Sequence, residues 1–217
     1  MKAHFDLAIT HCGEVLTLSE ATTQPKRESA LSDLSVLKNG AIGISKGKIA
    51  WLGTQKRYRH AYSAKKEINA RGAVVMPGFV DPHTHAVFSG SRESEWLQKL
   101  SGQSYLEILK ADGGILNTVK QTRAASPQKL FKAAQKTLNQ MAAHGTTTLE
   151  IKSGYGLNLK EEIKILNVIQ GLKKESPLDI VPTYLGAHVF PKTAYSDRAA
   201  YVAEVIESLK KIKNKAV

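Results

Sequence analysis

The sequence predicts an α/β protein in which a small β-rich domain, residues 1–76, precedes a series of strand–helix units running over residues 77–217. Three observations carry this reading. Short β-rich runs punctuated by glycine fill the first third, apolar runs then alternate with amphipathic stretches of helical period, and 42% apolar content over 217 residues is ample for a packed core. Repeated βα units imply a parallel sheet with right-handed crossovers, which leaves a barrel or a doubly wound sheet.

In the first domain, residues 5–11, 14–18, 41–45, 48–52 and 68–75 read as strands, separated by Gly13, Gly40, Gly47 and Gly53. The third and fourth form a hairpin turning at Lys46 and Gly47. Residues 19–35 are polar and read as a loop. Five short strands without a long helix predict a small sheet or sandwich. Residues 76–85 open the second region as a strand. The next clear element is a helix over 126–144, with Ser126 as N-cap, Pro127 in the first turn, Leu130, Ala134, Leu138 and Met141 on one stripe, and Gly145 as its stop. Residues 146–151 are β-branched and read as a strand. A second helix opens at Asn158, with Glu161 three residues on, carries Ile163, Leu166, Ile169 and Leu172, and ends before Pro177. Residues 179–185 give a third strand, and Tyr201, Val202, Val205, Leu209 and Ile212 stripe a third helix.

Thirty-one Lys and Arg against 19 Asp and Glu leave a net charge of +12. The lysines are scattered, without zinc-finger spacing or interleaved aromatics, so the excess reads as a basic solvated surface and no nucleic-acid partner is expected. No apolar stretch approaches membrane-spanning length and no secretory pattern opens the chain, so a cytoplasmic protein without a membrane partner is expected. Cys12 is the one cysteine, which excludes an internal disulfide and a cysteine metal cluster.

The densest chemistry is Pro77-Gly78-Phe79-Val80-Asp81-Pro82-His83-Thr84-His85. Strand residues two apart face the same way, so His83 and His85 can aim both imidazoles at one divalent metal. The spacing alone fits equally two hydrogen-bonded structural histidines, because a zinc site needs three or four ligands. Asp81 can orient a histidine or cap the local turn. Gly113-Gly114 lacks the lysine of a phosphate loop, and Ser153 lacks a nucleophile elbow. His144 reads as a residue at a helix C-terminus.

The Pro-Gly-Phe-Val-Asp-Pro-His-Thr-His string resembles the opening of the metal-dependent amidohydrolase superfamily. Further stretches narrow the likeness: Phe88-Ser89-Gly90-Ser91-Arg92-Glu93; Gly113-Gly114-Ile115-Leu116-Asn117-Thr118-Val119, followed by Thr122-Arg123-Ala124-Ala125; His144-Gly145-Thr146-Thr147-Thr148, running into Lys152-Ser153-Gly154-Tyr155-Gly156-Leu157; and Leu185-Gly186-Ala187-His188. Together they resemble the imidazolonepropionase family across essentially the whole chain. The resemblance implies a (β/α)8 TIM barrel, here about its first three βα units, preceded by a small β-sandwich. It implies one zinc or iron ion on His83 and His85, with Arg92, Tyr155 and His188 as substrate contacts. The implied substrate is a small molecule, 4-imidazolone-5-propanoate, opened to N-formimidoyl-L-glutamate in histidine degradation.

Each carried-over residue has a physical case beside a plainer one. Arg92 lies in a Gly/Ser-rich loop where a guanidinium can fork a carboxylate, or simply be solvated. Tyr155, between two glycines after a strand, is either a rim residue or an ordinary turn aromatic. His188 can hydrogen-bond a lactam carbonyl or a developing oxyanion, or be structural.

A (β/α)8 barrel takes about 250 residues, more than the chain has from Phe79 onward. The family's third histidine ligand, proton-shuttle glutamate and metal-side aspartate find no match. The reading is therefore the N-terminal half of such an enzyme, truncated, frameshifted or split, with a second copy or a complementing chain as the expected partner. Two alternatives stand beside it: another cyclic amidohydrolase or aminohydrolase, such as a hydantoinase or guanine deaminase, and a catalytically inactive fragment that only binds.

Overall fold

The computed structural model describes residues 3–18, 26–110, 113–191 and 197–212. They divide into two compact units, Met1–Pro77 and Gly78–Val217.

The first unit is built on one five-stranded sheet. Its strands are β1 (Ala3–Leu16), β2 (Val36–Ser45), β3 (Lys48–Thr54), β4 (Tyr62–Asn69) and the short β5 (Val74–Val75), in the order β3-β2-β1-β4, with β5 also on β1. β2 runs antiparallel to both β1 and β3, whereas β4 and β5 run parallel to β1. The β2–β3 hairpin turns at Lys46 (φ 51°) and Gly47 (φ 72°), the paired positive φ of a type I′ turn, and Asp6 accepts the Lys46 N–H at 2.8 Å. Helix α1 (Gln55–Ala61), capped by Thr54, joins β3 to β4. One core cluster gathers Phe5, Ala8, Ala41 and Tyr58 with Trp51 and Tyr62, and a second gathers Cys12, Val15 and Ile42. Ala41 and Ile42 fall in different clusters because successive strand residues face opposite ways.

Two strand expectations here are corrected. Residues 5–11 and 14–16 belong to one strand, bulged between Ile9 and Cys12, and Thr17 and Leu18 of the expected 14–18 run lie beyond its end. Gly13 is present for a close backbone approach: a Cβ there would meet the Gly72 carbonyl oxygen at 2.2 Å, and its N–H donates to Ala73 at 3.0 Å. The expected strand over 68–75 is two, because Arg71 (φ 52°) and Gly72 (φ 81°) turn the chain between β4 and β5. Of the expected 19–35 loop, residues 19–25 lie outside the described residues, and Glu28–Ser32 makes an exposed 3-10 turn.

The second unit holds a parallel sheet of β6 (Phe79–Thr84), β7 (Thr146–Lys152) and β8 (Asp179–Thr183), in that order. Between β6 and β7 run α2 (Glu93–Leu100), α3 (Tyr105–Lys110), α4 (Ile115–Ala124) and α5 (Pro127–Ala143); α6 (Leu159–Glu175) joins β7 to β8, and α7 (Arg198–Ile212) follows. The expected mixed α/β class is therefore found. Helices α2, α3 and α4 go beyond the sequence reading, because their short lengths leave no sustained stripe. Ser126 accepts the Lys129 N–H and Asn158 the Glu161 N–H, so both cap residues act as their positions imply. His144 closes α5 with its ring on the Gln140 carbonyl at 2.7 Å, and Gly145 (φ 94°) turns the chain.

One continuous aliphatic core unites Leu149 and Ile151 of β7, Ile180 of β8, Leu130, Ala134 and Leu138 of α5, and Ile165, Leu166, Ile169 and Leu172 of α6. Alternation leaves Glu150 and Lys152 on the other face of β7, paired at 2.5 Å, with the Thr183 hydroxyl donating to Glu150 at 2.6 Å. The buried side of α6 is rotated from expectation, with Glu162 and Ile165 inside and Ile163 only partly so. On α7, Tyr201, Ser208 and Ile212 are buried, whereas Val202 and Leu209 are exposed. Among the described residues no helix is long and apolar enough to cross a membrane.

Candidate active site

The residues singled out from the sequence meet where the strands of the second unit end. His85 follows β6, Tyr155 sits in the loop after β7 and His188 in the loop after β8. Parallel strands put these three loops at one end of the sheet, although their residues are far apart in sequence. The His85 and His188 rings stack face to face, with centroids 4.5 Å apart and planes 4° from parallel. The Tyr155 ring lies 4.9 Å from His85 and 5.5 Å from His188. His83 is more exposed, its ring 5.8 Å from His85 at 66°. Its backbone N–H donates to Asp81 at 3.2 Å, so Asp81 caps the local turn.

His85 is the unusual group. Both ring nitrogens are buried, and neither has a well-aligned hydrogen-bond partner. Burial, then the His188 and His83 charges, push its pKa down to about 4, against the upward pull of a weakly aligned hydrogen bond to the Ser153 backbone. The imidazole is thus neutral near pH 7, the form in which histidine binds a metal. An orphaned, neutral imidazole beside a second one fits a metal in donor type. In number the set falls short: among the described residues no group of three or more His, Cys, Asp or Glu could hold an ion.

A pocket of about 490 Å³ opens from His85 and Tyr155 toward Phe88, Gly90, Ser91, Arg92 and Thr118. Arg92 immediately precedes α2, and its Nε donates to Glu95 at 2.7 Å. Glu95 is buried and also accepts the Gly114 N–H at 2.8 Å. Burial alone would raise the Glu95 pKa; the Arg92 and Gly114 hydrogen bonds outweigh it and hold the carboxyl below its ordinary value. Burial raises the Tyr155 hydroxyl, partly offset by the Arg92 charge. His188 is fixed through Nδ1 to the Gly154 carbonyl at 3.1 Å.

Two carboxylates at this end escape the sequence reading, Glu95 and Glu162. Both are buried, and both bind backbone N–H groups of neighbouring loops. A signal exists for Glu162, which shares a helical stripe with Ile165, Leu166 and Ile169; a charge on an apolar stripe must have partners. Glu95 lies in a short helix without such a stripe.

An amidohydrolase family model matches residues 66–115, which include the His-x-His strand end and Arg92. Along nearly the whole chain, curated imidazolonepropionases align. That of Caldanaerobacter subterraneus subsp. tengcongensis is 44% identical over 96% of this chain and 49% of its own length. Those of Bacillus cytotoxicus (43% identical, 97% of this chain, 49% of its own) and Geobacillus kaustophilus (40%, 94%, 49%) are similar. The chain resembles imidazolonepropionase. It spans about half the length of the imidazolonepropionases it matches. A solved adenosine deaminase from Xanthomonas campestris aligns at 15% identity and TM-score 0.48, over 85% of this chain and 44% of that one, a likeness that carries nothing about the site.

Proposed function

We propose that this chain supplies the substrate-binding part, and two metal ligands, of an imidazolonepropionase-type site that hydrolyses the cyclic amide of 4-imidazolone-5-propanoate to N-formimidoyl-L-glutamate. The second unit then corresponds to about the first three βα units of a (β/α)8 barrel, residues 77–217, behind a small β-domain of residues 1–76. The observation that carries the reading is the stack of His85 on His188 beside Tyr155, with both His85 nitrogens lacking a well-aligned hydrogen-bond partner at the mouth of a pocket that also holds Arg92.

In this reading the Arg92 guanidinium, held at Nε by Glu95, binds the propionate carboxylate, a charge-assisted contact that fixes one end of the substrate. The Tyr155 hydroxyl and the His188 ring hold the imidazolone ring at the other end, and that orientation is their contribution to rate. Burial keeps His85 unprotonated across the physiological range. A zinc or iron ion on His83 and His85 would polarise the ring carbonyl. The groups that move the proton come from outside the residues assigned here, so the chain alone is expected to bind without turning over.

The test is binding of zinc ion and of imidazolepropionate, a stable analogue, by calorimetry on the 217-residue chain. Expected are zinc uptake lost in His85→Ala, and analogue affinity lowered at least about tenfold in Arg92→Ala, the scale of one charged hydrogen bond. Unchanged analogue affinity in Arg92→Ala would overturn the substrate assignment; unchanged zinc binding in His85→Ala would overturn the ligand assignment.

A further inference from the structure

Glu162 is fully buried at the fourth position of α6, yet it serves a loop and not the helix. Its Oε2 accepts the Gly154 N–H at 2.9 Å, and its Oε1 accepts those of Gly156 and Leu157, both at 2.7 Å. The Ser153 hydroxyl donates to it as well. Residues on both sides of Tyr155 are therefore tied to one carboxylate. Burial pushes the Glu162 carboxyl up, and these four donors pull against that rise. A carboxylate offers acceptors on both oxygens, whereas the carboxamide of the same length offers one oxygen and an NH2 donor.

The same carboxylate reaches the second ring. The Gly154 carbonyl accepts His188 Nδ1 at 3.1 Å, and Ser153 Oγ accepts the Leu185 N–H at 3.1 Å, at the start of the loop that carries His188. Gly154, at φ 112°, has no space for a side chain: a Cβ would meet His188 Nδ1 and the Leu185 oxygen, each at 2.9 Å. At Gly156 a Cβ would meet the Glu162 amide nitrogen at 2.5 Å. The two glycines around Tyr155 are thus what lets the loop close onto Glu162 and His188 together. The Arg123 Nε bond to the Gly156 carbonyl, 2.7 Å, braces the far side of the loop.

We propose that Glu162 is the positioning residue of the substrate pocket: its carboxylate sets the Tyr155 and His188 rings through the backbone of residues 153–157, so that both rings respond together when it is changed. The proposal rests on the reading that these rings contact substrate, and it adds what holds them there.

The test is Glu162→Gln in the 217-residue chain. The carboxamide can still accept from Gly156 and Leu157, but it turns an NH2 toward the Gly154 N–H. Expected are amide exchange at Gly154 accelerated at least about tenfold with the Leu149 and Ile180 amides unchanged, shifted ring NMR signals for both Tyr155 and His188, and imidazolepropionate affinity lowered about tenfold. Unmoved ring signals overturn the proposal. So does equal acceleration at Leu149 and Ile180, which would make Glu162 a part of the scaffold only. Glu162→Asp keeps the charge but shortens the reach; should Glu162→Gln fail to fold, the same pattern at smaller amplitude is expected from it, and wild-type ring signals there overturn the proposal equally. If the unmodified chain does not bind imidazolepropionate, the substrate reading fails, while the ring signals still decide the clamp.

Discussion

Tyr58 in the first unit and His85 in the second are both aromatic rings whose polar atoms have left water, and their surroundings treat them oppositely. The Tyr58 hydroxyl donates to Glu67 at 2.6 Å, inside a cluster where Trp51 lies 6.1 Å away, ring to ring. Neither nitrogen of His85 has a well-aligned partner. A buried polar group with its partner is part of the scaffold; one without a partner costs stability, and such a cost persists where an external ligand can offset it. The environments also displace the two pKa values in opposite directions. Burial, reinforced by Glu67, pushes Tyr58 up to about 12, and burial with neighbouring histidines pushes His85 down to about 4. In both cases the neutral form is the one the fold retains.

The largest consequence of this contrast lies at alkaline pH in the first unit. Tyr58 ionises near 10 when unfolded and near 12 when folded, so its contribution is fully present below pH 10 and is lost as pH rises through 12. The loss is at most about 2–3 kcal/mol, since every tenfold change in a proton-binding constant is worth about 1.4 kcal/mol and solvent around the exposed Glu67 weakens the effect. Guanidinium unfolding followed by Trp51 fluorescence in a Trp96→Phe background measures it between pH 9 and pH 12. The comparison fails if Tyr58→Phe leaves the alkaline slope as steep as before.

The contrast also marks how far the sequence could be read. Periodicity and caps located α5, α6 and all three strands of the second unit, because Ser126, Asn158 and Gly145 act locally. The proposed site residues His83, His85, Arg92, Tyr155 and His188 are reached in the sequence through resemblance and strand-end position. The stack of His85 on His188 was not, because it joins residues about a hundred positions apart through parallel pairing. Glu162 is legible only as a charge on an apolar stripe: Asn158 and Glu161 already explain the start of the helix, and nothing local states that the next residue turns to a loop. In the first unit Gly13 reads as a break and Gly72 as the interior of a strand, whereas Gly13 serves a close backbone passage within β1 and Gly72 the turn before β5.

The smallest expected effects are the most discriminating, because they differ in sign. Replacing His85 with phenylalanine keeps a flat ring against His188 and removes two buried nitrogens whose desolvation no well-aligned hydrogen bond repays. Metal-free protein carrying His85→Phe is therefore expected to be more stable by about 1–2 kcal/mol, while losing zinc uptake. Replacing Tyr58 with phenylalanine removes a made bond and leaves an exposed glutamate that water can solvate, so a loss of about 1 kcal/mol is expected near pH 7. Denaturant melts of both variants in the presence of chelator read the two signs directly. Destabilisation by both would mean that the His85 nitrogens are bonded in solution, and a site reserved for an external ligand would lose its physical basis; stabilisation in His85→Phe alone would locate in this one ring the stability that the fold gives up for binding.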